Sequence, residues 1–243
     1  MVPGVHRLGK SGGRIVKEEN VLGDHIGSVI LVQHVGDDKG IVNAARVSFG
    51  QDQDDDFTER DAKLLGYLIA HQHGSPYEHN SMTFKVVAPI FVVRQWQRHR
   101  VGVSFNEISA RYTEVLERYY IPLQFRAQAK DNRQASVVDA EGVVNQMAAQ
   151  DAYKQSCEFA MASYRNLLNL GVAKEQARGV LPVTMYTEFF FTCNLRALLH
   201  FLELREHPGA QWEIQRYANA LKSIAIALFP ETFNALDKIK SKG

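Results

Sequence analysis

The sequence has little cysteine and no long apolar run. Its two cysteines, Cys157 and Cys193, lie in stretches with helix-like apolar spacing, and nothing around them indicates secretion. We therefore expect two buried free thiols in a reducing compartment rather than a disulfide framework. The longest apolar stretch, 86–93, is far too short to cross a bilayer, and 1–13 lacks the apolar run of a signal peptide. These absences predict a cytoplasmic protein with no membrane partner.

The sequence also lacks an excess of either charge. Its 28 basic and 27 acidic residues leave a net charge of +1, whereas nucleic-acid coat proteins usually show a strong basic excess. We therefore expect no nucleic-acid partner. No internal repeat or low-complexity segment divides the 243 residues, so we predict a single domain, 1–243, with 1–24 as an arm or edge segment. The acidic run 52–56 is typical of a solvated loop.

Hydrophobic patterning and chain breakers predict an α+β fold. Short β-branched runs indicate strands over 26–35 and 81–87. A capping box formed by Thr58 and Asp61 opens the first of the helices that we expect over 58–72, 89–99, 143–170, 184–204 and 210–229. The polar segment 122–140 indicates a long loop. Because strands come early and long helices late, we predict one domain with a small, mostly antiparallel sheet flanked by long helices.

Arginines are crowded into one short part of the chain. Four of them fall within 18 positions: Arg94, Arg98, Arg100 and Arg111. Each close pair of like charges costs on the order of 1 kcal/mol in water, and a phosphate group relieves that cost while accepting forked hydrogen bonds from guanidinium. An exposed basic face paired with Glu107, Glu114 and Glu117 explains the charge equally well. Neighbouring Gln, Asn, Ser and His side chains favour a site for a phosphorylated heterocycle.

The same stretch carries a recognisable motif. Arg98-His99-Arg100, followed by Ser104, Asn106-Glu107, Ser109 and Arg111-Tyr112, resembles the signature of the flavin-dependent thymidylate synthases. Other segments resemble this family in the family's order, over roughly 26–235: 44–48, 71–79, 88–91, 177–182, 194–196, 204–205 and 210–213. One spacing departs from the pattern, because eight residues separate Arg100 from Ser109 where the family usually has seven. We expect a local bulge between Arg100 and Ser104.

The resemblance implies a site that binds FAD and dUMP in a stack, built from several subunits of a homotetramer. It implies dUMP contacts from Gln95, Trp96, Gln97, Arg98, Glu107, Ile108, Ser109, Ala110, Arg111, Arg178 and Arg205. It implies FAD contacts from His73, Ser75, Arg98, His99, Arg100, Glu107, Asn194, Leu195, Arg196 and His200. Residues 196 and 200 are four apart and would share a helix face, which independently fits a common ligand. Trp96 is also typical of a packing residue, as is Trp212.

The resemblance further implies the reaction, a reductive methylation of dUMP to dTMP. In the family, methylenetetrahydrofolate supplies the carbon, reduced FAD supplies the hydride and NADPH reloads the flavin. Arg205 matches the arginine proposed to favour ionisation of the uracil ring at N3, a role that suits a fixed cation beside a developing anion. Cys157 and Cys193 match no family motif, so we expect no thiol nucleophile.

Two other interpretations of the residues compete with this one. His71, His73 and His79 beside Glu78 have a spacing that can ligate zinc. No Cys pair or His-Glu-x-x-His helix accompanies them, and we expect no metal. Arginines interleaved with aromatic side chains can also form a platform for single-stranded nucleic acid. The near-neutral net charge counts against that interpretation.

Overall fold

The computed structural model describes residues 5–7, 16–50, 56–130, 136–138, 141–142 and 144–241. The strands β1–β8 are Val5–Arg7, Lys17–Glu19, Ser28–Val35, Ser81–Pro89, Val103–Glu107, Ala127–Gln128, Ser136–Val137 and Tyr186–Cys193. The helices α1–α8 are Asp38–Arg46, Glu59–Ala70, Ile90–Trp96, Gln146–Asn169, Lys174–Ala177, Leu195–Arg205, Trp212–Leu228 and Pro230–Lys240. None of these helices combines the length and the apolarity needed to span a membrane.

One antiparallel sheet forms the centre of the fold. Its strands run in the order β1-β3-β4-β8-β5, with β2 also paired to β3, and every pairing is antiparallel. This confirms the predicted α+β class and the strands expected over 26–35 and 81–87. We predicted that the segment 1–24 is either an arm or an edge segment. It contributes β1 and β2 to the sheet, which agrees with the second alternative. Its residues 1–4 and 8–15 lie outside the described part of the chain.

Strand β8 corrects the helix predicted over 184–204. Phe189, Phe191 and Cys193 are buried while Phe190 is 46% exposed, the two-residue alternation of a strand. Because β8 lies between β4 and β5, one face of it belongs to the core, and pairing on both edges overrides the helix-like apolar spacing of the sequence. The helix begins only after Asn194, whose side chain accepts a hydrogen bond from the Ala197 N–H.

Strand β5 and the turn before it were not predicted. Helix α3 ends at Trp96 rather than near residue 99, and the chain then turns through Gly102, whose φ is +68°. Glycine adopts this left-handed conformation without a steric penalty. From Val103 to Glu107, β5 then pairs with β8 without any shift in register. The segment between Arg100 and Ser104, where we expected a bulge, therefore consists of this turn and the first residue of β5, and the pairing of β5 with β8 contains no bulge.

Several helices differ from the predicted set. The capping box of Thr58 and Asp61 at α2 is confirmed, and α4 and α7 lie within the ranges 143–170 and 210–229. Helices α1, α5 and α8 were missed. The 122–140 loop carries the short pair β6 and β7. Asp52, Asp54 and Asp55 of the acidic run lie outside the described residues, and Asp56 is exposed.

An aromatic cluster joins α3 to the sheet and to the helices behind it. The indole of Trp96 is fully buried, and its centroid lies 5.1–5.9 Å from the rings of Phe189, Phe191, Phe201 and Tyr217. This confirms Trp96 as a packing residue. Trp212 is instead 37% exposed, where its ring lies 5.3 Å from the guanidinium of Arg126. The core therefore fixes the end of α3, where the family-like motif begins.

Candidate active site

A cleft of about 810 Å³ lies beside the exposed end of β5 and is bounded by the segments 109–118 and 175–188. This volume is in the range of small-ligand sites. Five of the predicted dUMP contacts line it together: Glu107, Ile108, Ser109, Ala110 and Arg178. Glu107 is the last residue of β5, which pairs with β8, and the next three residues follow it directly, while Arg178 caps the short helix α5. The cleft is therefore the best candidate for a nucleotide site.

The carboxylate of Glu107 lies between the cleft and the end of α3. Thr187 Oγ1 donates a hydrogen bond to Glu107 Oε1 at 2.7 Å, and Gln97 Nε2 donates to Glu107 Oε2 at 3.4 Å. Thr187 also lines the cleft, but sequence analysis missed it because that required recognising β8 as the strand paired with β5. The two donors hold the carboxylate in one orientation.

Two predicted nucleotide contacts, Arg111 and Arg178, both bind Glu175, a residue that lines the cleft. Arg111 pairs with Glu175 at 3.3 Å, and Arg178 Nε donates to the main-chain oxygen of Glu175 at 3.4 Å. The Arg111–Glu175 pair has about half of each side chain exposed, and such pairs contribute little free energy. The main chain also folds into a turn over the Ser109 carbonyl, which accepts from Tyr112 N at 3.1 Å. An anion can therefore compete for both guanidinium groups at small cost.

From charge alone, the crowded arginines could have formed an exposed basic face paired with Glu107, Glu114 and Glu117. The described residues do not form such a face. Arg94 and Arg118 line the cleft together with Arg178. Among the described residues, Glu114 pairs with Lys174 and Glu117 with Arg165, rather than with the crowded arginines. Arg94 belonged to the crowded set, yet neither it nor Arg118 was predicted as a contact. The lining of the cleft therefore combines these three arginines with four carboxylates, those of Glu107, Glu114, Glu175 and Glu188.

A second group of polar residues surrounds Arg205 at the end of α6. Arg205 Nε donates to His99 Nε2 at 3.0 Å, and Arg205 Nη2 donates to the Gln95 carbonyl at 3.1 Å. Burial, followed by the charges of Arg205 and His200, lowers the pKa of His99 to about 4. Neutral His99 can accept at Nε2, which places its proton on Nδ1. Burial and the charge of Arg98 also lower the pKa of Arg205.

The predicted flavin contacts come together from three segments. Gly74 lies so close to Arg196 that a Cβ at residue 74 would stand 2.5 Å from Arg196 Nε. The guanidinium of Arg196 also pairs with Glu78. On the same side, a Cβ at Gly102 would lie 3.2 Å from Asn194 Nδ2. The turns 73–75 and 101–102 therefore both contact the start of α6.

The donors of this second region fit a flavin dinucleotide. The side chains of His73, Ser75, Arg100, Arg196 and His200 are all exposed. They combine cationic groups with neutral donors, the chemistry that a diphosphate and a polar ring edge require. The His200 ring lies 5.8 Å from that of His99, which joins this region to the Arg205 group.

Two predicted contacts can reach a ligand only through their main chain. The side chains of Trp96 and Leu195 are fully buried in the core. The N–H of Leu195 is also occupied, because it donates to Asn80 Oδ1 at 2.7 Å. Asn80 thereby fixes the start of α6, a positioning role that the sequence alone did not signal.

The structure does not bring all predicted contacts into one cavity. Among the described residues, the lining of the cleft includes neither the Arg205 group nor the flavin contacts, apart from Glu107. A hydrogen bond from Gln97 to Glu107 connects the two regions. A single chain therefore presents two adjoining sets of candidate ligand-binding residues.

The zinc alternative finds no support in the geometry. The described residues contain no group of three potential metal ligands. The rings of His71 and His73 lie 6.2 Å apart, and Tyr67 contacts both of them. Glu78 is engaged by Arg196. These histidines belong to an aromatic group at the end of α2.

Comparison with known proteins connects this geometry to one family. Residues 30–231 match the family model described as thymidylate synthase complementing protein. The flavin-dependent thymidylate synthase of Thermosipho africanus is 45% identical over 218 residues, which cover 89% of this chain and 93% of that protein. The enzyme of the same name from Thermus thermophilus is 46% identical over 212 residues, covering 87% and 76% respectively.

Solved structures agree with the sequence comparison. The chain superposes with a TM-score of 0.79 on a UMP/dUMP methylase, PolB from Streptomyces cacaoi, whose crystal structure contains 5-Br dUMP. The two chains are 38% identical, and the match covers 86% of this chain and 94% of the other. The motif, the fold and the similarity over most of its length all lead to one assignment. The chain belongs to the family of flavin-dependent thymidylate synthases.

Proposed function

We propose that the protein catalyses the reductive methylation of dUMP to dTMP, with methylenetetrahydrofolate as the carbon donor. When bound, reduced FAD supplies the hydride, and NADPH reloads it. The observation that carries the proposal is the arrangement of Arg205, whose guanidinium is held by two acceptors in a partly buried position. A cation fixed in this way stabilises negative charge that develops on a uracil ring without having to reorganise.

The nucleotide contacts divide between the two adjoining regions. Ser109, Arg111 and Arg178 would bind the phosphate of dUMP, and Arg205 would favour ionisation of the ring at N3. Glu107, fixed by Thr187 and Gln97, would contact both ligands. The remaining contacts would come from Gln95, Gln97, Arg98, Ile108, Ala110 and the main chain of Trp96.

The flavin contacts would come from the second region. Arg98, Arg100 and Arg196 would neutralise the diphosphate, because guanidinium binds phosphate oxygens in a forked geometry. His73, Ser75, His99, Asn194 and His200 add neutral donors and acceptors, and Leu195 contributes main-chain atoms. Since the cofactor supplies the hydride, the protein has to bind and orient the two ligands and to exclude water.

The cysteines have no part in this mechanism. Cys193 lies in the core of the sheet and Cys157 on the inner face of α4, and both are buried. Burial raises the pKa of the Cys193 thiol, which disfavours the thiolate that a nucleophile requires. Two free buried thiols also fit the reducing cytoplasm in which we place the protein.

We further propose that the protein acts as a homotetramer. The two regions of ligand-binding residues do not form one closed pocket within a chain, and a neighbouring copy would close it. Helix α4 also exposes large apolar side chains, among them Met147 and Phe159. Exposed apolar surface of this kind is typical of a protein interface.

UMP is a second candidate substrate. The structural neighbour PolB is described as a UMP/dUMP methylase, and its fold matches this chain over most of both lengths. The two nucleotides differ only by the ribose 2′-hydroxyl. Competition between dUMP and UMP in one assay would decide which of them this site prefers.

Absorbance and product analysis test the proposal together. Purified protein should show oxidised flavin that bleaches with NADPH. With dUMP and methylenetetrahydrofolate added, it should form dTMP and tetrahydrofolate in equal amounts, because the folate gives up carbon but no hydride. A colourless protein that takes up no FAD would overturn the proposal, and so would dihydrofolate as the folate product.

A further inference from the structure

A line of hydrogen bonds connects the start of α7 to the side-chain amide of Gln95. We propose that Gln211 and Glu213, at the start of α7, are positioning residues that set the orientation of this amide. The inference rests on the proposed function, since Gln95 is one of the residues expected to contact dUMP. The segment 210–213 resembles the family in sequence, but no part of the mechanism so far uses it.

Glu213 is the fixed end of this line. The residue is 2% exposed, and its carboxylate accepts from Arg126 Nη2 at 2.7 and 3.0 Å. It also accepts from Tyr120 at 3.3 Å and from Gln211 Nε2 at 2.9 Å. A buried carboxylate needs this kind of compensation, because an unpaired charge in the interior is strongly destabilising. These donors together hold Glu213 in one orientation.

The chemistry of Glu213 determines which way the next two amides face. An ionised carboxylate can only accept, so Gln211 must direct its NH₂ group toward Glu213. The Gln211 carbonyl oxygen then faces Gln95, where it accepts from Gln95 Nε2. Gln95 is thereby restricted to one of its two amide orientations. Without an acceptor-only group at the end, both amides could flip and still form hydrogen bonds.

Gln95 lies beside Arg205 as well. Its main-chain carbonyl oxygen accepts from Arg205 Nη2 at 3.1 Å, while its side-chain amide is held by Gln211. The other acceptor of the arginine, His99 Nε2, binds the Nε edge of the same guanidinium. Arg205 is therefore fixed by α3, and α7 sets the amide of the residue that anchors it.

The role of the pair is polar rather than space-filling. Gln211, Glu213 and Arg126 border a separate cavity of about 330 Å³, so these side chains do not lie in solid packing. Replacement of Gln211 by Met, which has a similar length, should leave the core intact. It should remove the hydrogen bonds to Gln95 and Glu213 at once. The variant therefore separates positioning from folding.

Steady-state kinetics of Gln211→Met test the proposal. We expect kcat with dUMP to fall about tenfold or more, because small misplacements of reacting groups have effects of this size. The thermal midpoint and the flavin spectrum should be unchanged. Gln215→Met is the matched control, since Gln215 lies one turn further along α7 and its side chain donates to the carbonyls of Pro208 and Ala210. It should retain wild-type kcat.

A double-mutant cycle then shows whether Gln211 acts through Gln95. If it does, Gln95→Met combined with Gln211→Met should be no slower than Gln95→Met alone, because the link is already broken. Multiplicative losses in the double variant, or wild-type kcat in Gln211→Met, would overturn the inference. An inactive wild type would instead overturn the proposed function, so the two failures are distinguishable.

Discussion

The protonation state of His99 determines whether its ring can accept the hydrogen bond from Arg205. The residue is 8% exposed and lies beside the charges of Arg205 and His200. Burial and these charges lower its pKa to about 4 from the ordinary value of 6.5. Above that folded-state pKa the ring is neutral and accepts the hydrogen bond from Arg205. Protonation would remove the acceptor and place two cations in contact.

This shift makes stability depend on pH in a defined direction. Between pH 6.5 and about 4 the unfolded chain binds a proton at residue 99 that the folded chain does not, so folding weakens as the pH falls. We expect His99 to account for a loss of about 2–3 kcal/mol across that window and for none above it. Urea unfolding of the wild type and of His99→Gln, over this range, measures the difference. Parallel pH curves for the two proteins would refute the expectation.

Arg205 is the residue on which turnover should depend most. In Arg205→Ala we expect bound FAD to remain and kcat to fall about 10²–10³-fold, the usual effect of removing one preorganised donor to a developing charge. The flavin spectrum and the rate of dTMP formation provide the two measurements. Arg205→Lys keeps the charge but cannot bond His99 and Gln95 at once. Its kcat should therefore lie between those of the wild type and Arg205→Ala. Normal dUMP-dependent activity of Arg205→Ala would refute the assignment.

The sequence predicts the residues of the motif more readily than the residues that form hydrogen bonds to them. Glu107, Ser109 and Arg178 were predicted by resemblance, and the structure brings them to one cleft. Thr187 and Glu213 were not, although each bonds a predicted contact or its neighbour. Thr187 lies 80 positions from Glu107, and Glu213 is connected to Gln95 only through Gln211, which lies 116 positions from Gln95. A supporting hydrogen bond leaves no local pattern in the sequence.

At the scale of elements, the turn 73–75 and helix α6 form one unit. Gly74 allows the guanidinium of Arg196 to lie across the turn. We expect Gly74→Ala to displace this flexible side chain and weaken FAD binding about tenfold, while the free energy of unfolding changes by less than about 1 kcal/mol. Titration of the apoprotein with FAD, followed by flavin fluorescence, measures the affinity.

Gly66→Ala provides the matched control for that experiment. Gly66 lies within α2, and a Cβ there would meet nothing within 4 Å. Alanine should therefore favour the helix by roughly 0.5–1 kcal/mol and leave FAD affinity unchanged. Equal FAD affinity in Gly74→Ala and the wild type would show that Arg196 does not bind the cofactor from its observed position.

Strands were harder to predict than helices, for a physical reason. The run Phe189–Phe191 has the same apolar density in a helix or a strand, and its exposed member, Phe190, is itself aromatic. Only pairing with β4 and β5 decides between them. Helix α2 was predicted correctly because its capping box is local. Local signals survive in the sequence, whereas a strand is recognised only once its partners are known.

For the molecule as a whole, the burial of both thiols distinguishes the proposed flavin mechanism from one with a cysteine nucleophile. We expect Cys157→Ala combined with Cys193→Ala to retain turnover per bound flavin within about twofold, because neither thiol can act as the nucleophile. Each loss of a buried sulfur should cost roughly 1 kcal/mol of stability. Product formation normalised to flavin content is the measurement. Complete loss of turnover with fold and flavin intact would contradict the mechanism.

The overall class of the molecule followed from the order of its elements, but its site did not. Early strands and late helices predicted the antiparallel α+β fold correctly. The division of the predicted contacts between the cleft and the Arg205 group was not foreseen. Resemblance assigns residues to ligands without stating which of them share a cavity in one chain. That information requires the register of β5 on β8 and the packing of α6.

The buried indole of Trp96 has a consequence for ligand capture. Gln95 and Gln97 flank it directly, while four aromatic rings surround it at 5.1–5.9 Å. The backbone of this turn cannot shift without driving the indole into an interior packed as densely as an organic crystal. Ligands therefore meet a rigid framework, and association here requires only the rotation of surface side chains. Little of the binding free energy is lost to rearranging the main chain.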